Sequence, residues 1–288
     1  NVAAQLATLE RRLETTWRRP NIKRYGRNIR LGAKIEDFET DAFDQSGASV
    51  SATVEEQLTP RVRGSIGGEF GYASTLEDKA RAEGEDRTNV YILSSTGTLE
   101  YVGVRDVLDP QAGVRARVTA EPGLTYGDAN IGFARLTGEA SAYFDLSENL
   151  IGAVRGKLGT IVGPSGAPAD RKFFAGGGGS VRGYEYQSLS PTTVSNGETI
   201  LDGGSSLVEM SAELRWRASD RLGYVAFIDA GAAGSNVEPP IDQMSAGVGF
   251  GVRYYAGFGP LRADIAVPLN KEEGDADFQI YISIGQAF

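Results

Sequence analysis

Apolar and polar residues alternate one by one along most of this sequence. Between Asn28 and Glu36, apolar side chains occupy every second position: Ile29, Leu31, Ala33 and Ile35. A period of two puts successive side chains on opposite faces of a β-strand, whereas a helix needs a period near 3.6. The same pattern recurs over 50–54, 61–72, 114–118, 134–142, 154–158, 206–217, 222–232, 244–256, 260–268 and 277–288, and more weakly over 88–104. The chain is therefore predicted to be all-β, either a large sandwich or a barrel.

The connections between these stretches differ in length in a regular way. Short ones lie at 57–60, 145–148, 218–222 and 256–259, and long ones at 74–87, 161–205, 233–243 and 269–276. Because successive connections of an antiparallel sheet lie at opposite ends, this alternation predicts that all short turns share one end. That asymmetry is typical of an outer-membrane barrel, with tight periplasmic turns and long external loops, and a Greek-key sandwich would not keep it.

Composition excludes several classes of protein. The 288 residues include no cysteine and no histidine, which removes disulfides, thiolate nucleophiles, histidine bases and the usual zinc sites. A net charge of −9 argues against a nucleic-acid-binding surface. The sequence contains no run of about 18 uncharged apolar residues, so it predicts no transmembrane helix. The sequence contains no G-x-S-x-G nucleophile elbow. It contains no P-loop either, since the glycine run lacks the lysine that binds phosphate. We therefore expect that the protein is not an enzyme and that it has no catalytic residue, no metal and no cofactor.

A long loop over 161–205 contains the most unusual segment. Lys172 to Pro191 read K-F-F-A-G-G-G-G-S-V-R-G-Y-E-Y-Q-S-L-S-P. The four glycines, 176–179, let the backbone adopt positive φ and pass close to other chains, at an entropic cost. Arg182 follows them, between small and aromatic neighbours. A flexible linker with an incidental arginine is the simplest interpretation, but ordered loops of this length are usually functional.

The segment V-R-G-Y, Val181–Tyr184, resembles the loop that folds back into the barrel in BamA/TamA-type outer-membrane insertases, and the wider segment is most similar to the TamA branch. The resemblance implies an antiparallel transmembrane β-barrel in the bacterial outer membrane. It implies that 1–288 form the C-terminal 12 or 13 strands of a 16-stranded family barrel, without the first strands and the periplasmic POTRA domains. It also implies a function, the insertion or translocation of unfolded outer-membrane clients, including autotransporters, through a lateral seam. The implied partners are these clients, the lipid bilayer and a TamB-like protein anchored in the inner membrane.

The N-terminal residues fit two structures. Leu6, Leu9, Leu13 and Trp17 have helical spacing, yet residues 11–19 also alternate as a strand would. In the family that the chain resembles, W-R-R-P-N closes a strand. We therefore favour a strand over 11–19, ended by Pro20.

Two carboxylates are expected to face the barrel interior on neighbouring strands. Glu213, in S-A-E-L-R-W, shares its face with polar residues, and Asp229 follows the apolar run V-A-F-I. Both lie where the family has matching acids. The resemblance implies that Arg182, with Gly183 and Tyr184, reaches them from the loop and forms a lock. Alternatively, both acids are simply solvated.

Two further patterns concern the last strands. In the run from Gly259 to Leu269, Arg262 and Asp264 share one face, and the preceding Gly247, Gly249 and Gly251 leave interior space for an inserted loop. The final strand is predicted to place five apolar residues on one face: Phe278, Ile280, Ile282, Ile284 and Phe288. Gly285 would bend it at the seam, as in the insertases that the chain resembles, unless it is a glycine tolerated near an ordinary edge-strand end.

Three other functions remain open. A BamA-type core insertase usually has phenylalanine where Tyr184 stands. A two-partner secretion exporter would use the barrel as a pore. A passive porin or ligand-binding barrel would need no inserted arginine loop.

Overall fold

The computed structural model describes residues 2–6, 10–163, 167–195, 197–256, 259–272 and 275–288. In chain order the strands within these ranges are β1 (Val2–Leu6), β2 (Glu10–Arg19), β3 (Arg27–Glu39), β4 (Phe43–Gln57), β5 (Val62–Glu77), β6 (Thr88–Val102), β7 (Gly113–Gly127), β8 (Gly132–Ser147), β9 (Leu150–Val162), β10 (Thr192–Ser195), β11 (Glu198–Leu201), β12 (Ser206–Arg217), β13 (Leu222–Gly234), β14 (Ser245–Ala256), β15 (Gly259–Pro268) and β16 (Gln279–Ile284). All except β10 and β11 form one antiparallel sheet of 14 strands, in which strands pair in chain order and β9 pairs with β12.

The predicted all-β fold is confirmed. The sequence predicted 12 or 13 strands. Thirteen strands of the sheet begin at or after Glu10, and β1 is the fourteenth. The strand predicted over 11–19 is β2, and the helical interpretation is wrong for the described part of 1–20, because 2–6 and 10–19 pair as strands. Leu9 lies outside the described residues. The weak pattern over 88–104 is a single strand, β6.

The sheet has an apolar outer face and a polar inner face, which is the reverse of the arrangement in a water-soluble protein. On β12, Met210, Leu214 and Trp216 point outward and are about half exposed, whereas Glu213 and Arg215 point inward and are buried. An apolar outside and a polar inside is what a lipid-embedded wall requires. No helix in the described ranges is both long and apolar enough to cross a membrane.

Turn lengths alternate less strictly than predicted. The connections 58–61, 148–149 and 218–221 do share one end of the sheet, and 78–87, 163–205, 235–244 and 269–278 share the other. The predicted turn at 256–259 is centred on residues outside the described ranges. Two short turns, 40–42 and 128–131, lie at the long-loop end, and the ten-residue connection 103–112 lies at the short-turn end. Strict alternation is therefore wrong at three places, because a hairpin's turn chemistry is set locally.

The part of the long loop from Phe173 to Arg182 packs inside the curled sheet. Phe173 and Ala175 pack in one buried cluster with Phe133 of β8, Ile161 of β9 and Leu207 of β12. Strands far apart in the sheet also meet across the interior, since the ring of Phe288, just beyond β16, lies 6.3 Å from that of Tyr143 on β8. The sheet is thus curled around the loop. Its edge strands in the described ranges are β1 and β16.

Candidate functional site

The loop approaches the wall at a place where glycine leaves room for it. Gly183 has φ +108°, which L-residues rarely adopt, and a Cβ there would lie 2.9 Å from the carbonyl oxygen of Val267. Gly247 is directly opposite Asp229 in the sheet, and a Cβ at Gly247 would collide with the carbonyl oxygen of Arg182. Gly247 therefore lets the loop backbone lie against the wall, as the sequence predicted, whereas Gly249 makes room for the Phe227 ring and Gly251 for the Asp264 carboxylate.

Arg182 is the centre of the contact, and only 2% of it is exposed. Its guanidinium binds Asp229 in a bidentate manner, with Nε 2.6 Å from Oδ2 and Nη2 2.9 Å from Oδ1. Nη1 lies 2.8 Å from Oε1 of Glu213 and 3.0 Å from Oδ2 of Asp264. The guanidinium also stacks over the ring of Phe227 at 3.4 Å. Bidentate charge-assisted bonds are the strongest and most directional of their kind, so the loop is fixed in one position.

The structure therefore brings together Arg182, Glu213 and Asp229, and it adds a third acid. Asp264 was placed on the interior face from sequence, but its bond to Arg182 was not foreseen. The alternation of apolar and polar residues shows which side chains of β15 face the interior, but it does not show which of them contacts the loop. The interior glycines opposite it were the available signal, since Asp264 pairs with Gly251 and fills the space that this glycine leaves.

Further arginines share the three acids. Arg215 bonds Glu213, with Nη2 2.8 Å from Oε2. Arg253 binds Asp264 through Nη1, and Nε of Arg262 lies 3.4 Å from Oδ2 of Asp264. Three carboxylates and four guanidiniums, counting Arg182, thus form one buried network in the wall of β12–β15. Burial of an ionic network is tolerated when every charge has partners of the other sign.

The other residues of the loop motif bind the last strands. Gly183 donates its backbone N–H to the hydroxyl of Tyr281 at 3.0 Å, and that hydroxyl donates to the carbonyl oxygen of Tyr184 at 2.8 Å. The Tyr184 hydroxyl donates to the carbonyl of Ala246 at 3.1 Å. Tyr281, on β16, is a contact that the sequence analysis missed. The loop therefore holds the edge strand as well as the wall.

The end of the chain differs from the sequence prediction. β16 covers only Gln279–Ile284, so Phe278 precedes it. Gly285 has φ +94°, and beyond it the chain turns inward, which brings the ring of Phe288 to 5.1 Å from the guanidinium of Arg215. The prediction that Phe288 shares an outer face with Ile284 is wrong, because a residue with positive φ interrupts the alternation.

The inward tail, residues 285–288, joins the buried network. Oε1 of Gln286 accepts a hydrogen bond from Nε of Arg253 at 3.2 Å, and its Nε2 donates to Oδ1 of Asp109 at 2.9 Å. Nη2 of Arg215 donates to the carbonyl oxygen of Phe288 at 3.3 Å. Charge and hydrogen-bond contacts thus run from Arg182 through Asp264 and Arg253 to the tail.

This arrangement positions chain segments. Each carboxylate faces an arginine, and no group of three or more acidic side chains in the described ranges is placed to hold a metal ion. What the site can do is hold the loop, the wall and the edge strand in one geometry.

Comparison with known proteins agrees with this architecture. A model of the Omp85 superfamily domain matches residues 1–288. The outer membrane protein assembly factor BamA of Nitratidesulfovibrio vulgaris is 30% identical over 163 residues, which are 52% of this chain and 20% of that protein. The chain therefore spans about a fifth of the length of this curated relative.

Two solved structures share the fold. BamA from Haemophilus ducreyi lacking POTRA domains 1–3 superposes with a TM-score of 0.82 at 17% identity, over 95% of this chain and 62% of that one. CdiB from Acinetobacter baumannii superposes with a TM-score of 0.60 at 12% identity, over 94% and 50%. At these identities the likeness concerns the path of the backbone.

Proposed function

Because the chain belongs to the Omp85 superfamily, we propose that it forms the barrel of an assembly factor that inserts or translocates client polypeptides through a seam beside β16. The protein lies in the bacterial outer membrane, and its outward apolar face contacts the lipid bilayer. The proposed clients are unfolded outer-membrane proteins, including autotransporters. The proposed function needs no catalysis and no cofactor.

The short last strand is the observation that carries the proposal. β16 pairs with β15 over six positions, from Leu261 opposite Ile284 to Ala266 opposite Gln279, whereas β14 pairs with β15 over ten. Lipid cannot hydrogen-bond a client strand, so an unpaired strand cannot enter the bilayer alone. An edge that offers N–H and C=O groups lets a client strand join by β-augmentation.

The buried network gives this edge a firm support. Arg182 fixes the loop to β12, β13 and β15, and Tyr281 ties β16 to the same loop. One side of the seam is thereby held while a client strand exchanges its partners on the other. The inward tail beyond Gly285 shortens the last strand and limits the number of bonds that must break.

The finer assignment is to the TamA branch, with a TamB-like partner that spans the periplasm. Tyr184 supports it, because this tyrosine matches that branch and its hydroxyl is used in two contacts, to the carbonyl of Ala246 and from the backbone N–H of Asn270. Co-purification of the full-length protein with a long β-rich protein of the inner membrane tests the assignment.

Disulfide capture tests the seam, and residues 1–288 contain no cysteine that would compete with an introduced one. We expect Ile282→Cys on β16 to form a disulfide with cysteines placed along the terminal strand of an arrested client. Ile265→Cys is the matched control, because Ile265 is exposed on the same outer face but lies on β15, between two strands. Equal capture at both positions, or capture at neither, contradicts the proposal.

The likeness to CdiB makes a pore the second candidate. The inserted loop argues against a standing pore, since Phe173, Ala175 and Arg182 occupy the interior. Steady conductance of the full-length protein in planar bilayers, with no client present, would favour the exporter.

A further inference from the structure

A second interior site lies away from the Arg182 network. A cavity of about 350 Å³ separates the loop from the inner surface of β3 and β4 near the long-loop end of the barrel. Four aromatic residues line it: Phe38, Phe43, Phe174 and Tyr186. The ring centroids of Phe38 and Phe43 are 5.4 Å apart, and those of Phe43 and Phe174 are 6.5 Å apart. One wall is therefore a continuous aromatic surface.

Gln187 lines the same cavity and bears two energetic costs. It is 7% exposed, and its Oε1 is buried and accepts no hydrogen bond within the described residues. Its backbone also has φ +66°, a conformation that strains any residue with a Cβ. Natural structures satisfy nearly all buried polar groups, and unsatisfied groups on strained backbone concentrate at functional positions.

Asp170 supplies a second unsatisfied acceptor to the cavity. Its Oδ1 is buried and accepts no hydrogen bond in the described part of the chain, while its Oδ2 lies 3.7 Å from Nε of Arg171. Two acceptors without donors call for an occupant that brings N–H or O–H groups.

The cations at the cavity are already engaged, so the site does not select an anion. Nη2 of Arg12 lies 3.3 Å from Oε2 of Glu36. Nζ of Lys172 lies 3.0 Å from Oε2 of Glu77 and 2.8 Å from Oδ1 of Asp202. Burial lowers the pKa of Lys172, but these two carboxylates raise it by more, so the pKa lies above its usual value and the amine stays charged and paired.

We propose that this cavity receives a segment of the client polypeptide, with one peptide group against Gln187 and a neighbouring apolar or aromatic side chain against the phenylalanine wall. The proposal rests on the proposed function and names where the client contacts the interior. A primary amide offers an acceptor and a donor in one plane, which matches a peptide group. The sugar of a glycolipid also brings donors and stacks on aromatic rings, but lipid lies outside the wall, and this cavity lies inside it beneath the loop.

Photo-crosslinking in the full-length protein tests the proposal. A photoreactive phenylalanine analogue replaces Tyr186, which lines the cavity and is 69% exposed. The matched control carries the analogue at Val194, which is 71% exposed on the β10–β11 hairpin of the same loop. We expect an adduct with an arrested client from position 186 and none from position 194.

Gln187→Gly removes the amide, and glycine adopts φ +66° without strain, so the barrel should fold. We expect the adduct at position 186 to fall roughly three- to tenfold, the effect of losing about one hydrogen bond. Disulfide capture at Ile282 should not change. Three outcomes would overturn the inference and leave the proposed function standing. The adduct is unaltered by Gln187→Gly, the adduct contains glycolipid and not the client, or no adduct forms while Ile282→Cys still captures the client. If Ile282→Cys also captures no client, the result contradicts both this inference and the proposed function.

Discussion

Nη1 of Arg182 lies 3.0 Å from Oδ2 of Asp264, so a loop residue and a strand residue 82 positions apart share a buried charge. Asp264 also binds Arg253, whose Nε donates to Gln286 in the inward tail. The contact that fixes the loop and the contact that fixes the tail therefore meet at one carboxylate. This sharing makes the two segments interdependent.

Asp264→Asn should loosen both segments, whereas Asp229→Asn should loosen the loop alone. Both changes keep side-chain size and remove a buried charge. Among the described residues the Asp229 side chain bonds Arg182 and Ser211, whereas Asp264 holds Arg253 as well as Arg182. Protease access reports on the loop, and thiol labelling of Ala287→Cys reports on the tail. A tail that responds equally to both substitutions would show that the network does not transmit through Asp264.

Asp109 and Gln286 should be coupled energetically. Their side chains share one hydrogen bond of 2.9 Å, which joins the connection 103–112 to the tail. In a double-mutant cycle of Asp109→Ala and Gln286→Ala, we expect a coupling free energy of about 0.5–1.5 kcal/mol for unfolding in detergent. Strict additivity of the two single effects would mean that the bond does not form in the folded protein.

Gly285→Ala should straighten the end of β16. No atom lies within 4 Å of a Cβ added there, so the cost is the backbone strain at φ +94°, about 1–2 kcal/mol. The matched control is Gly97→Ala on β6, which also has open space but an ordinary φ, and should be neutral or slightly stabilising. A thiol at position 287 should become more reactive in the first variant only. Unchanged reactivity in both would place the bend elsewhere.

How far the sequence predicted this site depends on whether the rule involved is local. The inward direction of Glu213 and Asp229 follows from a period of two, which strand geometry fixes at every residue. The loop motif around Arg182 was identified by its resemblance to a family. The sharing of Asp264 depends on sheet register and on where a loop 82 positions earlier in the chain comes to rest, which no local pattern encodes. Phe288 was misplaced for the same reason, since one positive φ at Gly285 cancels the alternation beyond it.

Orientation follows from which end holds the long loops. With those loops outside the cell, the 218–221 turn is periplasmic and the 269–278 connection is external. A membrane-impermeant thiol reagent on intact cells should label Asp277→Cys, whose native side chain is 88% exposed, and should not label Asp220→Cys. Labelling at position 220 alone would reverse the assignment.

Proteolysis of the loop tests most directly the claim that Arg182 holds it inside the barrel. Arg182→Ala leaves Glu213, Asp229 and Asp264 without their shared partner, and removing one member of a buried ion pair costs on the order of 3–5 kcal/mol. Arg182→Lys should rescue only in part, because an ammonium lacks the planar fork that bridges several carboxylates. The matched control is Arg117→Ala, since Arg117 pairs with Glu100 but its side chain is 54% exposed.

The measurement is the rate at which an added protease cleaves between residues 167 and 195 of the full-length protein in outer membranes. We predict slow cleavage in the wild type and in Arg117→Ala, fast cleavage in Arg182→Ala, an intermediate rate in Arg182→Lys, and heat-modifiable barrels in all four. Equal rates in the wild type and Arg182→Ala, with both barrels folded, would contradict the account, because the loop would then be held by something other than Arg182.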